Sequence, residues 1–119
     1  MPKALPLLQD LSPICCPPIG DNQALSADDA LALALRLKAL ADSVRLQLLV
    51  HMLHQPGNEA CTCELAPLVG LSEPTVSHHL KKLEGAGLVV KERRGMSVYY
   101  RVVPEAIHAI AKTLHLKCC

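Results

Sequence analysis

Apolar and polar residues recur with a helical period through the first part of the chain after residue 25. The stretch SADDALALALRLKAL predicts a helix, because Ser26 can cap its first turn and leucine and alanine dominate the rest. A second helix is predicted from Asp42, as its cap, through SVRLQLLVHML, and it should stop near QPGNE. The apolar face of this second helix carries Val44, Leu48 and Leu49.

The next elements are a short helix, a tight turn and a longer polar helix. The stretch CELAPLVG predicts the short helix, closed by Gly70. Ser72 then opens EPTVSHHLKKLEGAG, where Pro74 stands in the first turn and its missing N–H costs little. The glycines at the end of this stretch suit a helix C-terminus. Two helices joined by such a turn predict a helix-turn-helix.

After Gly87 the pattern changes its period. LVVKER and SVYYRVV are rich in residues that favour strands, and Arg94, Gly95 and Met96 join them, so we predict a two-stranded hairpin. PEAIHAIAKTLHLK predicts a last helix with Pro104 in its first turn. The predicted fold class is mainly α with a β-hairpin wing, a winged helix-turn-helix.

The helix that follows Ser72 separates an apolar stripe from a polar face. At ~100° per residue, Val76, Leu80 and Leu83 fall together and predict a buried stripe. The polar face offers hydroxyls, an imidazole and ammonium groups, which suit base edges and phosphates in the major groove of DNA. An ordinary solvated helix face would show the same pattern, but the short helix before it and the basic hairpin after it favour DNA. The predicted DNA-binding residues are Thr75, Ser77, His78, Lys81 and Lys82, with Arg93 and Arg94 at the wing tip.

Composition and charge narrow the class of protein. With 119 residues the chain is long enough for one compact domain, and it has neither a nucleophile–base motif nor a glycine-rich phosphate loop, so we expect no enzyme. No apolar run approaches the ~18–20 residues of a membrane span, and the N-terminus has no signal-peptide layout, so we expect a cytoplasmic protein with no membrane partner. Residues 71–101 hold six basic and three acidic side chains, which indicates an anionic partner.

The six cysteines stand in three close pairs: Cys15 with Cys16, Cys61 with Cys63, and Cys118 with Cys119. We interpret the first two pairs as ion ligands, because thiols this close are poorly spaced for ordinary disulfides and a cytoplasm keeps thiols reduced. Soft thiolates select As(III), Sb(III), Cd(II), Pb(II), Cu(I) or Zn(II). Cys61 and Cys63 can converge if the chain approaches the short helix in an extended conformation. A thiol redox switch that uses the same cysteines stays an alternative.

Three segments in order, LKALADSVRLQLL, LSEPTVSHHLKKLEGAGLV and RRGMSVYYRV, resemble the ArsR/SmtB family of winged-helix metalloregulatory repressors over roughly residues 30–110. The resemblance implies a homodimer, joined mainly by its first and last helices, that binds double-stranded operator DNA and leaves it when a metal or metalloid binds. Glu73 departs from the family pattern, in which Gln is common at this position. A carboxylate near phosphates is unfavourable, so Glu73 either stays clear of the DNA backbone or accepts from a cytosine amino group.

The resemblance also implies where an ion would bind. CTC resembles the Cys-x-Cys pair that the family places at the start of the helix before the recognition helix, and in related members an N-terminal arm supplies thiols to the other subunit. The predicted metal site joins Cys15 and Cys16 of one chain to Cys61 and Cys63 of its partner. The vicinal pair in the arm resembles arsenic sensors, so we favour As(III) or Sb(III), which takes three thiolates. Cd(II), Pb(II) or Zn(II) is the alternative inducer.

The remaining predictions concern the ends of the chain and the dimer. We divide the chain into an N-terminal arm (1–25), a winged-helix DNA-binding and dimerisation domain (26–117) and a C-terminal cysteine pair (118–119). Cys118 and Cys119 form a possible second metal site. The last helix lacks the Asp-x-His spacing of the zinc site that some family members carry, so His108 and His115 are interpreted as surface or interface residues. The apolar stripes predicted to join a homodimer contain Leu31, Ala34, Leu35, Ile107, Ile110 and Leu114.

Overall fold

Five helices and three strands make up residues 24–115, the part of the chain that the computed structural model describes. In chain order they are α1 (Ala27–Leu40), α2 (Ser43–Leu53), β1 (Glu59–Cys61), α3 (Thr62–Val69), α4 (Glu73–Gly85), β2 (Val89–Arg94), β3 (Ser97–Val102) and α5 (Pro104–Thr113). No helix within these residues has the length and apolar character needed to cross a membrane. The order confirms a winged helix-turn-helix, with α3 and α4 as the helix pair and β2 and β3 as the wing.

Side-chain caps begin α1 and α2 at the residues that the sequence predicted. The Ser26 hydroxyl accepts a hydrogen bond from the Asp29 backbone N–H (3.1 Å), and the Asp42 carboxylate accepts one from the Arg45 backbone N–H (3.0 Å). Each bond satisfies a donor that a helix N-terminus leaves unpaired. The bond from Arg45 also lowers the pKa of Asp42 below its ordinary value.

Helix α5 is shorter than the predicted last helix, which extended to residue 117. It ends at Thr113, Leu114 caps it, and His115 has a φ of 57°. A positive φ lies outside the right-handed helical region, so the helix cannot continue through this residue. The described part of the chain also ends here, at residue 115.

The sheet has three strands, and the prediction of a two-stranded hairpin missed one of them. β3 lies in the centre and pairs antiparallel with β2 on one side and β1 on the other. The wing turns at Gly95, whose φ of 63° carries no steric cost for a residue without a Cβ. β1 is three residues long, which is too short for a period to show in the sequence. It places Cys61 opposite Tyr99 of β3, so the thiol segment belongs to the same sheet as the wing.

One aliphatic core holds these elements together. Val76, Leu80 and Leu83 of α4 are completely buried, which confirms the predicted stripe. They pack in one cluster with side chains from α2, α3, β1, the wing and α5, namely Leu48, Leu49, Met52, Leu65, Ala66, Ala60, Leu88, Val89, Tyr100, Val102, Ala106 and Ile110. Val44, predicted for the buried face of α2, is only partly buried against this cluster. The core therefore fixes which face of α4 points to solvent.

Helices α1 and α5 leave apolar side chains uncovered. Leu31 and Leu35 of α1 are 61% and 53% exposed, and Leu114 after α5 is 43% exposed. Ile107 is partly buried. The prediction that Ile110 joins this surface is wrong, because Ile110 is 7% exposed and packs in the core of its own chain. The uncovered patch thus consists mainly of leucines near the two ends of the described chain.

An ion-pair cluster ties the wing to β1. The Arg94 guanidinium donates to both carboxylate oxygens of Glu59 (2.9 and 2.7 Å) and to Glu92 (2.7 Å). It also lies over the Tyr99 ring, 4.3 Å from the ring centre. A planar guanidinium forms two parallel hydrogen bonds with a carboxylate. The pair is therefore held in a fixed relative orientation as well as by opposite charges. The hydrogen bond from Arg94 lowers the pKa of Glu59 below its ordinary value and raises that of Arg94.

We predict that Leu80→Ala destabilises the fold by about 2–5 kcal/mol, because it removes a completely buried side chain from a packed core. Chemical unfolding followed by circular dichroism measures this loss. Lys81→Ala, at the exposed neighbouring position, is the matched control and should change the free energy of unfolding by less than about 0.5 kcal/mol. Equal losses in the two variants would contradict the burial of this stripe.

We predict that the ion pair of Glu59 with Arg94 makes stability depend on pH in the acid range. Because folding lowers the pKa of Glu59, its contribution is present above the unfolded pKa and is lost as the pH falls through the folded one. Arg94→Gln should therefore flatten the decline in stability below about pH 4.3, the ordinary glutamate value. Denaturation midpoints across a pH series measure the decline, with Arg93→Gln as the control. An unchanged pH profile in Arg94→Gln would show that the pair does not contribute.

Candidate nucleic-acid interface and thiol site

The first turn of α4 is ordered by its own polar side chains. The Ser72 hydroxyl accepts a hydrogen bond from the Thr75 backbone N–H (3.4 Å), and the hydroxyl oxygens of Ser72 and Thr75 are 2.9 Å apart. Pro74 stands in this turn, where a missing N–H costs no helical hydrogen bond. The remaining free N–H groups and the helix dipole make this end of α4 favourable for a phosphate group.

The polar face of α4 is exposed, as the sequence predicted. Thr75, His78, Lys81 and Lys82 are exposed, and Ser77 is half-buried on the flank. Hydroxyl and imidazole groups near the N-terminus of such a helix can reach base edges, while ammonium groups further along neutralise phosphates. The structure therefore brings the five predicted helix residues onto one accessible strip, and their contact with DNA stays a prediction.

A polar cluster fixes α4 against the start of α2. The Arg45 side chain donates from Nε to the Ala39 carbonyl (2.6 Å) and from Nη1 to His79 Nδ1 (3.3 Å). A guanidinium has only donors, so Nδ1 is the acceptor in this contact. The Asp42 carboxylate lies 3.8 Å from the same Nδ1. No local pattern in the sequence could indicate that Arg45 would meet His79.

The two wing arginines differ in how their charges are used. Arg93 is exposed, and no carboxylate lies within salt-bridge distance of it among residues 24–115. Arg94 is held by Glu59 and Glu92, so much of its charge is compensated within the chain. A phosphate that approached Arg94 would have to compete with two carboxylates. Of the two arginines predicted to contact DNA, Arg93 has the guanidinium that is more available.

Cys61 and Cys63 meet at the junction of β1 and α3. Cys61 has an extended backbone (φ −85°, ψ 148°) and acts as the N-cap of α3, its sulfur accepting from the Cys63 backbone N–H (3.1 Å). This extended approach turns both side chains to one side, as predicted, with the two Cα atoms 5.1 Å apart. The structure joins the two sulfurs in a disulfide, so the expectation that this spacing does not suit one is wrong. Cys61 is buried and Cys63 is exposed.

These two sulfurs alone do not complete an ion site. Residues 24–115 contain no group of three or more His, Cys, Asp or Glu side chains that could hold a metal ion. Cys15, Cys16, Cys118 and Cys119 lie outside the described residues. Soft sulfur donors at Cys61 and Cys63 fit a thiophilic ion, but two donors leave such an ion short of ligands. Any further thiolate has to come from beyond the described residues or from a partner chain.

Two histidines near the thiols have other partners. His51 Nε2 lies 3.2 Å from a carboxylate oxygen of Glu64, which joins α2 to the first turn of α3. His54 Nδ1 donates to the Val50 carbonyl one turn earlier (2.8 Å). Both contacts give these histidines a structural role within the chain. His108 and His115 are exposed, in keeping with the interpretation of them as surface residues.

A hydrogen bond links the thiol segment to the start of α4. Thr62, between the two cysteines, is buried, and its hydroxyl donates to Glu73 Oε1 (3.4 Å). Glu73 is the first residue of α4. The sequence drew attention to Glu73 as a departure from the family pattern, but it did not indicate Thr62 as the partner. A lone threonine between two cysteines carries no signal of its own in a linear pattern.

Comparison with known proteins agrees with this architecture. The family described as "Bacterial regulatory protein, arsR family" matches residues 42–91, which run from the cap of α2 into the wing. The antimony-specific transcriptional repressor AntR is a similar solved structure (TM-score 0.66, 27% identity, 82% of this chain and 87% of that chain). The homodimeric winged helix-turn-helix domain Mb0332 of Mycobacterium bovis is another (TM-score 0.64, 26% identity, 82% and 89%).

Curated relatives share the sequence as well as the fold. The arsenic resistance transcriptional regulator ArsR1 of Pseudomonas putida is 40% identical over 68 residues, which are 57% of this chain and 52% of that protein. The chain thus spans about half the length of that regulator. The putative arsenical resistance operon repressor ArsR2 of Halobacterium salinarum is 32% identical over 108 residues, 90% of this chain and 86% of that protein. The chain belongs to the ArsR family of bacterial regulatory proteins, a family of DNA-binding transcriptional regulators and not of enzymes.

Proposed function

We propose that this repressor senses a metalloid: it binds operator DNA as a homodimer and leaves the DNA when As(III) or Sb(III) binds to its cysteine thiolates. The observation that carries the proposal is the meeting of the Cys61 and Cys63 sulfurs at the start of α3, the helix directly before the DNA-binding helix α4. The names of the relatives, which include arsenic and antimony regulators, support this choice of ion.

DNA binding is argued from the strip on α4 and from the wing. Thr75, His78 and Ser77 would read base edges, and Lys81 and Lys82 would neutralise phosphates. On the wing, Arg93 and, to a smaller extent, Arg94 would contact the backbone or the minor groove. The buried stripe on the opposite side of α4 keeps this strip facing outward.

The dimer is argued from the uncovered leucines. Leu31 and Leu35 lie on the first helix and Leu114 directly after the last helix of the described chain, and the family resemblance places the dimer contact on these two helices. Leucines exposed to this extent at two helices favour burial against a second copy. The homodimeric state named for the Mycobacterium bovis relative supports the same arrangement.

The ion site is proposed to cross the dimer. Cys61 and Cys63 supply two soft ligands, and Cys15 and Cys16 of the partner's arm would supply the third or fourth. To bind an ion, the disulfide between Cys61 and Cys63 is first reduced to two thiolates by exchange with a thiol reductant, which is itself oxidised to a disulfide. A thiolate at a helix N-terminus is stabilised by the helix dipole, which favours the binding form of the reduced pair. When bound there, the ion ties the arm of one subunit to the α3 helix of the other, next to the segment that carries α4.

Two alternatives use the same residues. Cd(II), Pb(II) or Zn(II) also binds thiolates, so the inducer could be one of these divalent ions. A thiol redox switch is favoured by one specific observation, the disulfide between Cys61 and Cys63. In that case oxidation of the pair, and not ion binding, would change the affinity for DNA.

We predict that His78→Ala lowers the affinity for the specific operator by about 1–3 kcal/mol, because the imidazole can pair with a base edge. Lys81→Ala should weaken binding to all sequences by a similar factor, since an ammonium group meets phosphates. Fluorescence anisotropy with operator and scrambled duplexes over a range of salt concentrations separates the two effects. Operator binding that survives both substitutions would contradict the docking of α4.

We predict that Cys15→Ser/Cys16→Ser and Cys61→Ser/Cys63→Ser each bind operator normally but are no longer released by As(III). None of these cysteines lies on α4 or on the wing, so the DNA-binding surface stays intact. A gel-shift titration with As(III) measures release. Cys118→Ser/Cys119→Ser is the matched control and should be released like the wild type. Loss of the response in that control would move the sensing site to the C-terminal pair.

Mixing the two double variants tests whether the site crosses the dimer. A heterodimer contains one intact arm and one intact Cys61/Cys63 pair on different chains, so an inter-subunit site is restored once per dimer. Recovery of release by As(III) supports this site, and no recovery contradicts it. The redox alternative predicts a different result for the wild type: release would follow a mild oxidant, would be reversed by a thiol reductant and would need no ion.

A further inference from the structure

Thr62 occupies a position where the thiol site and the DNA-binding helix touch. It lies between Cys61 and Cys63, it is only 6% exposed, and its hydroxyl bonds to the Glu73 carboxylate (3.4 Å). A buried hydroxyl needs a hydrogen-bond partner, and Glu73 is the side-chain partner that the structure gives it. The contact joins the first residue of α3 to the first residue of α4.

The carboxylate that Thr62 holds is poorly suited to DNA. Glu73 is exposed and stands at the N-terminal end of α4, the end that meets DNA when such a helix enters the major groove. Phosphates also favour this positive helix end, so a freely moving carboxylate competes with them and repels them. The bond from Thr62 draws the Glu73 charge back toward α3.

Ion binding at the neighbouring sulfurs must disturb this bond. Cys61 and Cys63 are joined by a disulfide in the structure, so a thiol reductant must first reduce it by two electrons to two thiolates, the reductant leaving as its own disulfide. An ion held by both thiolates would then lie between the two sulfurs and keep them further apart than the disulfide does. Thr62 is covalently bound to both cysteines. It directly follows β1, which is paired with β3, and it is the first residue of α3. A separation of its two neighbours therefore moves its hydroxyl relative to Glu73.

We infer that Thr62 and Glu73 transmit the state of the thiols to the DNA: their hydrogen bond withholds the Glu73 carboxylate from operator phosphates, and ion binding at Cys61 and Cys63 releases it. The inference rests on the proposed function, because it takes the thiols as the sensing site. It assigns both residues as positioning residues. Neither has to contact the ion or a base to act.

Both tests use protein kept reduced by a non-thiol phosphine reductant, and the first test adds no metalloid. Thr62→Val keeps the branched shape of the side chain but removes the hydroxyl, so it should free the carboxylate and lower operator affinity about tenfold, since each protomer adds one repulsive contact. In Thr62→Val/Glu73→Gln the freed group has no charge, and operator affinity should return to within about twofold of Glu73→Gln. The loss in Thr62→Val should shrink as salt is raised, because salt screens the repulsion.

The second test adds As(III). Glu73→Gln should bind As(III) as tightly as the wild type, measured by direct titration of the protein without DNA. As(III) binding lowers operator affinity by some factor in the wild type. In Glu73→Gln we expect this factor to be about tenfold smaller, because the glutamine that is released carries no charge. Thr62→Ser restores the hydroxyl and should behave like the wild type in both tests. Thr113→Val, which removes an exposed hydroxyl bonded to its own helix, is the matched control and should change neither quantity.

The outcomes separate this inference from the proposed function. If As(III) does not release the wild type, the proposed function fails, while the comparison without metalloid still decides whether Thr62 restrains Glu73. If the wild type is released and Glu73→Gln is released equally well, the inference is overturned and the proposed function stands. A Thr62→Val loss that persists in the Glu73→Gln background, or that does not depend on salt, also overturns it, because it would reflect a packing defect. Should Thr62→Val fail to fold, the Glu73→Gln titration decides alone.

Discussion

The burial of one apolar stripe on α4 is the constraint on which the rest of the molecule depends. Val76, Leu80 and Leu83 are completely buried, and each contributes to the same aliphatic core as α2, α3 and the sheet. Because helical side chains on opposite faces cannot be turned independently, burying this stripe also sets the direction of Thr75 and Lys81. The exposed strip that we propose to bind DNA is thus a consequence of core packing, and the contact of Arg45 with His79 is a second attachment of α4 to α2.

The elements that depend on local chemistry were predictable from the sequence. Ser26 and Asp42 cap the helices where a hydroxyl and a carboxylate precede an apolar repeat, and the α4 stripe follows from a period of 3.6 residues. Pairings between distant segments were not predictable in this way. β1 becomes a strand only because β3 lies beside it, and Ile110 is buried only because the core continues to α5. The sequence pattern gives the intrinsic propensity of a segment, but it does not give the neighbouring segment that determines whether it becomes a strand or is buried.

In the candidate site, too, local features could be predicted from the sequence and contacts between distant residues could not. The convergence of Cys61 and Cys63 followed from an extended residue before a helix, and the exposed strip of α4 followed from its period. The ion pairing of Arg94 did not follow from the sequence. A count of basic residues at the wing tip takes no account of carboxylates from other segments that pair with them in the fold. Glu59 stands 35 residues earlier in the chain, yet it binds the Arg94 guanidinium through both oxygens. A net positive segment therefore overstates the charge that DNA can meet.

Cys61 combines three structural tasks, which would allow a change at its sulfur to reach the surface that we propose to bind DNA. It is the last residue of β1, the cap of α3 and one member of the thiol pair. Its pairing with Tyr99 leads to the wing, where Arg94 lies over the Tyr99 ring, and its neighbour Thr62 leads to α4 through Glu73. Both routes are short and consist of direct contacts, so a displacement of Cys61 does not have to pass through the core. Because the Cys61–Cys63 pair lies at the edge of the core, the core can keep its packing while α4 and the wing, the elements that we propose to bind DNA, respond.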